Sequence, residues 1–303
     1  MKEFNIYVSA KFAESDKIII QNKQNIFLTD LLERIKNLEG IDKKIYETIL
    51  KRIKKTAFRI EDSAAYTARM SQREDYNRTY VPTGFYSIAE NTVYMRGDSY
   101  LSSKLAEDEL SLQTRRIAIQ ETLYSMSSNC RDKSGLMTIH EEDKKTEIIG
   151  QGFNRAATID ITNKIIGDSV VNGVPQDYVA ALESVKAILE MSEEEYMNMY
   201  FIDKKWYTED LETRFNPQTK DELIKLIKQY DERKKLSKFF VNDVAEILYS
   251  AFYENLKRKI KAKEEIDKYE ERFTEAMVKY TDYFDLLDAK KAVEQLMQKA
   301  NKK

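Results

Sequence analysis

Few side chains in this sequence could do chemistry by themselves, and one short run brings several together: Ile119-Gln120-Glu121-Thr122-Leu123-Tyr124. On a helix, Gln120 and Tyr124 stand one turn apart on the same face, with Glu121 beside them. A carboxylate can move a proton or take a hard cation through oxygen, whereas a neutral amide and a phenol with a pKa of about 10 are poor zinc ligands. A second polar run, Gly150-Gln151-Gly152-Phe153-Asn154-Arg155-Ala156-Ala157-Thr158, offers Asn154, Arg155 and Thr158, with Asp160 just beyond. Arginine effectively never deprotonates, so Arg155 is a partner for anions and not a metal ligand. The sequence holds one histidine, His140, and one cysteine, Cys130, so no His/Cys cluster can build a structural or catalytic zinc site. In His140-Glu141-Glu142-Asp143-Lys144 a lysine stands where a second histidine would be needed.

Other chemistries find less support. A Gly-rich phosphate loop, a Gly-x-Ser-x-Gly elbow and dinucleotide-fold spacing are all missing, so no cofactor is expected. A cysteine nucleophile would need Cys130 and His140 in contact with an orienting Asn or Asp; both fall in one polar loop, which argues against it and favours a solvent-facing histidine. The basic runs Lys51-Arg52-Ile53-Lys54-Lys55 and Lys257-Arg258-Lys259-Ile260-Lys261-Ala262-Lys263 could touch phosphates, but Glu264, Glu265 and Asp267 follow the second, as in a salt-bridged solvated helix. Globally 50 basic side chains are balanced by 52 acidic ones, so neither nucleic acid nor an anionic membrane is the expected partner. Residues Met1 to Asn5 lack the basic and apolar regions of a signal peptide, and no run approaches a membrane-spanning length, so a cytoplasmic address is expected.

The elements that must position these residues are mostly helical, because the 303-residue chain has only 3 prolines and 8 glycines and 42% hydrophobic content. Residues 4–9 and 17–21 read as a hairpin or strand pair. Thr29-Asp30 can cap a helix with Leu31, Leu32, Ile35 and Leu38 on one face, and Asp42 can open another running through Ile45, Ile49, Ile53 and Phe58. The segment from Glu61 to Tyr80 gives no clear signal. Gly84-Phe85-Tyr86-Ser87-Ile88 and Asn91-Thr92-Val93-Tyr94-Met95 read as two strands, closed by Gly97-Asp98-Ser99. A helix is expected over Glu107 to Ser127 with an acidic start at Glu107, Asp108 and Glu109, then a polar loop over 129–149 and a second helix after Gly152. Gly167, Gly173 and Pro175 mark a turn before helix from Gln176 to Tyr200, and Trp206 to Phe215 suits one more short helix. After Asn216-Pro217 the chain turns to long charged helices; Val244, Ile247, Leu248, Ala251, Phe252 and Leu256 make one apolar face, as in an antiparallel helical subdomain.

The order strand pair, helix bearing Gln120-Glu121-Thr122-Leu123-Tyr124, loop, then Gly150 to Thr158 resembles the layout of the zincin metallopeptidases of gluzincin type, over roughly residues 84–213. There the helix carries His-Glu-x-x-His, two histidines hold zinc and the glutamate activates the bound water. The downstream run is similar to the Gly-x-Gly-Leu-Asn-Glu-Gly-x-Thr pattern of some bacterial members, whose glutamate is the third ligand. Tyr178-Val179-Ala180-Ala181-Leu182-Glu183, Met191-Ser192-Glu193 and Tyr200-Phe201 extend the likeness. By this resemblance the histidine positions are Gln120 and Tyr124, the third-ligand position is Arg155, and Glu121 alone keeps the family letter.

Composition and pattern together with the resemblance lead to an expected α+β, mostly helical fold: N-terminal strands and helices over 1–83, a zincin-like core with a small sheet over 84–215, which the resemblance implies, and a helical subdomain over 216–303. The resemblance also implies a degenerate metal site without zinc, lined by Tyr86, Ile88, Tyr94, Asn154 and Thr158, with Phe85 to Ile88 or Thr92 to Met95 as an edge strand beside the Glu121 helix. An ion pair between Glu121 and Arg155 would balance charge where the metal is lost. The expected function is non-catalytic binding of a protein or peptide. The alternatives are an enzyme reusing carboxylates such as Glu121 and Asp160, or assembly through the C-terminal helices; the partner's identity and the oligomeric state stay open.

Overall fold

The computed structural model describes residues 4–72, 82–101, 110–142, 145–167, 176–202, 211, 213, 215–231 and 238–283. The fold is α+β and predominantly helical, and the chain divides into two compact units: residues 1–135, 161–169 and 200–203 in the first, and 136–160, 170–199 and 204–303 in the second.

In the first unit a four-stranded sheet has the order β1 (Asn5–Val8), β2 (Ala57–Glu61), β4 (Thr92–Arg96), β3 (Gly84–Ser87). β1, β2 and β4 are parallel, and β3 runs antiparallel at the edge. The sheet thus joins strands from both sides of residue 83. Between β1 and β2 lie α1 (Glu14–Lys36) and α2 (Lys43–Ile53), the crossover that a parallel pair requires. Asp42 caps α2 by accepting the Ile45 N–H at 2.6 Å, and Ile45, Ile49 and Ile53 are buried, as the sequence suggests. Phe58, however, belongs to β2 and not to that helix.

The expected strand over residues 17–21 is a turn and more of α1. Ile20, Gln24, Phe27, Leu28, Leu31, Leu32 and Ile35 are buried at helical spacing, and no Gly or Pro interrupts them, so burial along one face outweighs the β-branched preference of Ile18 and Ile19. Those two isoleucines are left on the exposed side, and Thr29 and Asp30 sit inside the helix and not at a cap.

The unassigned stretch after Glu61 contains α3 (Ser63–Met70), capped by Asp62, whose side chain accepts the Ala65 N–H. Tyr66 and Met70 of α3 cover Phe85 and Tyr94 on one face of the sheet, where the Phe85 and Tyr94 rings stack at 4.9 Å. α4 (Leu112–Ser127) contacts β3 and β4 as well as α2. It starts at Ser111, whose hydroxyl accepts the Thr114 N–H; Glu107, Asp108 and Glu109 lie outside the described residues.

In the second unit the expected polar loop is largely strand. β6 (Met137–Glu142) and β7 (Lys145–Ile149) pair as an antiparallel hairpin, after a two-residue strand β5 (Lys133–Ser134) in the first unit. Alternating Met137, Ile139 and the β-branched Thr146, Ile148 and Ile149 favour strand once a partner is present. α5 (Gln151–Ile166) follows, starting two residues ahead of the expected start after Gly152, and its last residues count with the first unit.

The single helix expected from Gln176 to Tyr200 is two, α6 (Gln176–Ile188) and α7 (Glu193–Phe201). Glu190 takes a left-handed φ of 50°, and Ser192 and Glu195 form a reciprocal capping box, the Ser192 hydroxyl accepting the Glu195 N–H while the Glu195 carboxylate accepts the Ser192 N–H. Gly173, Pro175 and most of the segment from Trp206 to Phe215 lie outside the described residues.

α8 (Pro217–Asp231), α9 (Lys238–Ala262) and α10 (Asp267–Tyr283) complete the second unit, with α10 packed chiefly on α6. Val244, Leu248, Ala251, Phe252 and Leu256 are buried, and Phe252 stacks on Phe273 at 3.9 Å. No helix among the described residues is long and apolar enough to cross a membrane.

Candidate functional site

The site is built from α4 and the edge strand β3. Gly84 allows their close approach: a Cβ there would collide with Met95 Sδ and stand 3.3 Å from Ile117 Cγ2 of α4. The register of the β3–β4 pair decides which groups β3 turns outward. Arg96 donates its N–H to the Thr83 carbonyl at 2.8 Å, and hydrogen-bonded and non-bonded pairs alternate along an antiparallel ladder. Tyr86, opposite Val93, therefore falls in a non-bonded pair, with its amide turned away from β4. That amide donates to Glu121 Oε2 at 2.8 Å.

The Tyr86 side chain is fixed as well. Its hydroxyl donates to Asn91 Oδ1 at 3.0 Å, and the Cys130 sulfur lies 3.8 Å from it. Burial raises the Tyr86 pKa well above the ordinary phenol range, so the neutral phenol is the form present. Asn91, at φ 47° in the hairpin turn, also donates to the Lys55 carbonyl and so ties the turn to the end of α2.

Comparison with protein-family models, curated proteins and solved structures finds no match to this chain.

Of the residues singled out in the sequence, Glu121 and Tyr86 are in direct contact, and Gln120 and Tyr124 are half-buried on the same helix. The Tyr124 carbonyl accepts hydroxyls from Ser127 and Ser134. Ile88 is half-buried at the hairpin turn, where its carbonyl accepts the Asn91 N–H. Tyr94 is not brought to this group. It is 2% exposed on the opposite face of the sheet, where Arg69 lies over its ring at 4.3 Å and its hydroxyl donates to Glu90.

Asn154, Arg155, Thr158 and Asp160 belong to the second unit, so the two members of the expected Glu121–Arg155 pair come from different units. Asn154 is buried, and its Oδ1 accepts the Leu136 N–H at 3.0 Å. Thr158 is buried with its hydroxyl donating to the Asn154 carbonyl, Arg155 is exposed on α5, and Asp160 is half-buried. His140 is on β6 and not in a loop, with its side chain outside the described residues. Cys130 is exposed in the turn before β5. Among the described residues no group of three or more His, Cys, Asp and Glu converges as a metal ion would require.

Nothing in the sequence groups Asn91 and Cys130 with Tyr86. A turn asparagine that tolerates left-handed backbone is a visible signal, but its bond to Tyr86 depends on the hairpin closing.

Proposed function

We propose that this chain is a non-catalytic protein of zincin-like, metallopeptidase-like plan, a cytoplasmic pseudoenzyme akin to bacterial members of that family, which binds an extended peptide segment of a protein partner along β3. One observation carries the reading: Glu121, in the catalytic-glutamate position of the resemblance, reaches the outward amide of an antiparallel edge strand. An edge strand with outward N–H and C=O groups at every second residue is the template that extended peptides join. The strand order, three parallel strands and an antiparallel edge with the Glu121 helix beside it, supports the same reading.

The chemistry of the degenerate positions argues against catalysis. Gln120 and Tyr124 are neutral hydrogen-bonding groups and Arg155 is a cation, so none of them would serve zinc. Assembly through the C-terminal helices has less support, because α9 and α10 bury their apolar faces within their own unit. The test is metal analysis of protein purified without chelator, together with a peptide-cleavage assay in added zinc. The reading expects neither stoichiometric zinc nor turnover; finding both would sink it.

A further inference from the structure

We infer that Glu121 is a built-in competitor for the peptide site, holding the β3 edge closed until its side chain withdraws. The inference rests on the peptide-binding reading above and adds how that site is regulated. An extended peptide joining β3 must offer a carbonyl to the Tyr86 N–H, because that amide is turned away from β4 by the register of the pair. Glu121 Oε2 already stands there at 2.8 Å, so the protein supplies from its own helix the acceptor that the ligand would bring. A carboxylate accepts from a backbone amide more strongly than a peptide carbonyl does, so the internal contact is a real competitor.

The closure is local and reversible. Glu121 is half-buried on α4, within the helix and not at a frayed end, so the opening motion is a change of its side-chain rotamer. Tyr86 itself stays in place, because the Asn91 bond to its hydroxyl does not depend on Glu121. The same contact guards the strand against pairing with a stray chain, a known hazard of open sheet edges.

The experiment uses the full chain and a fluorescein-labelled octapeptide of alternating threonine and valine, with binding read by anisotropy and Tyr86 amide exchange read by NMR. Glu121→Ala removes the competing acceptor, Glu121→Asp keeps the charge but shortens the reach, and Glu121→Gln keeps a weaker, neutral acceptor. The expected result is about tenfold tighter binding for Glu121→Ala, a change of ~1.4 kcal/mol, with faster Tyr86 exchange in the free protein. Glu121→Gln falls between it and the wild type. If Glu121→Ala fails to fold, Glu121→Asp gives the same reading of an uncapped amide. Wild-type binding that no substitution tightens overturns the gate and leaves the peptide-binding reading standing. Absence of binding in the folded wild type and in every folded variant overturns both.

Discussion

Tyr86 and Tyr94 sit eight residues apart on neighbouring strands, yet they serve opposite faces of one sheet. The amide of Tyr86 meets Glu121 and its hydroxyl meets Asn91, whereas Tyr94 is packed with Phe85, Tyr66 and Met70. Burial, reinforced by the hydrogen bond to Glu90, pushes the Tyr94 pKa up to about 12. A group whose pKa is raised on folding binds its proton more tightly in the folded state, so its contribution to stability is complete below the unfolded pKa of about 10. That contribution should be lost as pH rises from about 10 to 12. Denaturant titrations across this range should therefore show a steeper fall for the wild type than for Tyr94→Phe. Parallel declines would refute the assignment. Tyr86, Tyr100 and Tyr249 are also raised by burial, so part of the alkaline decline should persist in the variant.

The corner that leads into α5 is the element whose local chemistry is most exacting. Gly150 has a φ of 86°, and a Cβ there would stand 2.6 Å from the Leu136 carbonyl oxygen; one turn later Asn154 Oδ1 accepts the Leu136 N–H. Both groups of Leu136 thus bear on the first turn of the helix. Asn154→Ala should cost about 1–3 kcal/mol by leaving a buried amide without its acceptor. Gly150→Ala should cost more than about 1 kcal/mol, since the left-handed backbone strains an L side chain and the carbonyl clash adds to it. Urea unfolding of each variant checks both values, and a shift under about 0.5 kcal/mol in either would show that the corner relaxes. The glycine break before α5 was legible because Gly150-Gln151-Gly152 interrupts a run of strand and helix formers. The strands ahead of it were not, because β6 and β7 stabilise each other and neither carries a strong signal alone.

At the scale of the whole molecule, the C-terminal helices complete the second unit. Asn255 and the Tyr269 hydroxyl both donate to the Ile188 carbonyl, and Arg272 donates to the Met191 carbonyl, so α9 and α10 hold the corner between α6 and α7. Lys259 of α9 reaches Glu190 at 2.7 Å in the same corner. A chain ended after Phe215 should expose the buried side of α6, including Leu182, Val185 and Ile188. It should bind a hydrophobic dye strongly and lose more helix by circular dichroism than the deleted residues account for. Retention of the original thermal midpoint and no dye binding would show that α9 and α10 are dispensable to the unit.

What the sequence determined by itself was short-range or compositional. The Asp42 cap, the strand pair at Gly84 to Met95, the helix around Glu121 and the apolar face of α9 follow from neighbours a few residues apart, whose spacing sets burial directly. That no His/Cys cluster can form follows from counting one histidine and one cysteine. Tertiary structure decided the rest. β1 pairs with β2 and not with residues 17–21, because the apolar stripe of α1 draws those residues into a helix and leaves a parallel partner some fifty positions away. The capped edge likewise joins residues 35 positions apart. No local propensity encodes such a contact; it exists because the register of β3 on β4 turns one amide outward and α4 packs close enough to meet it.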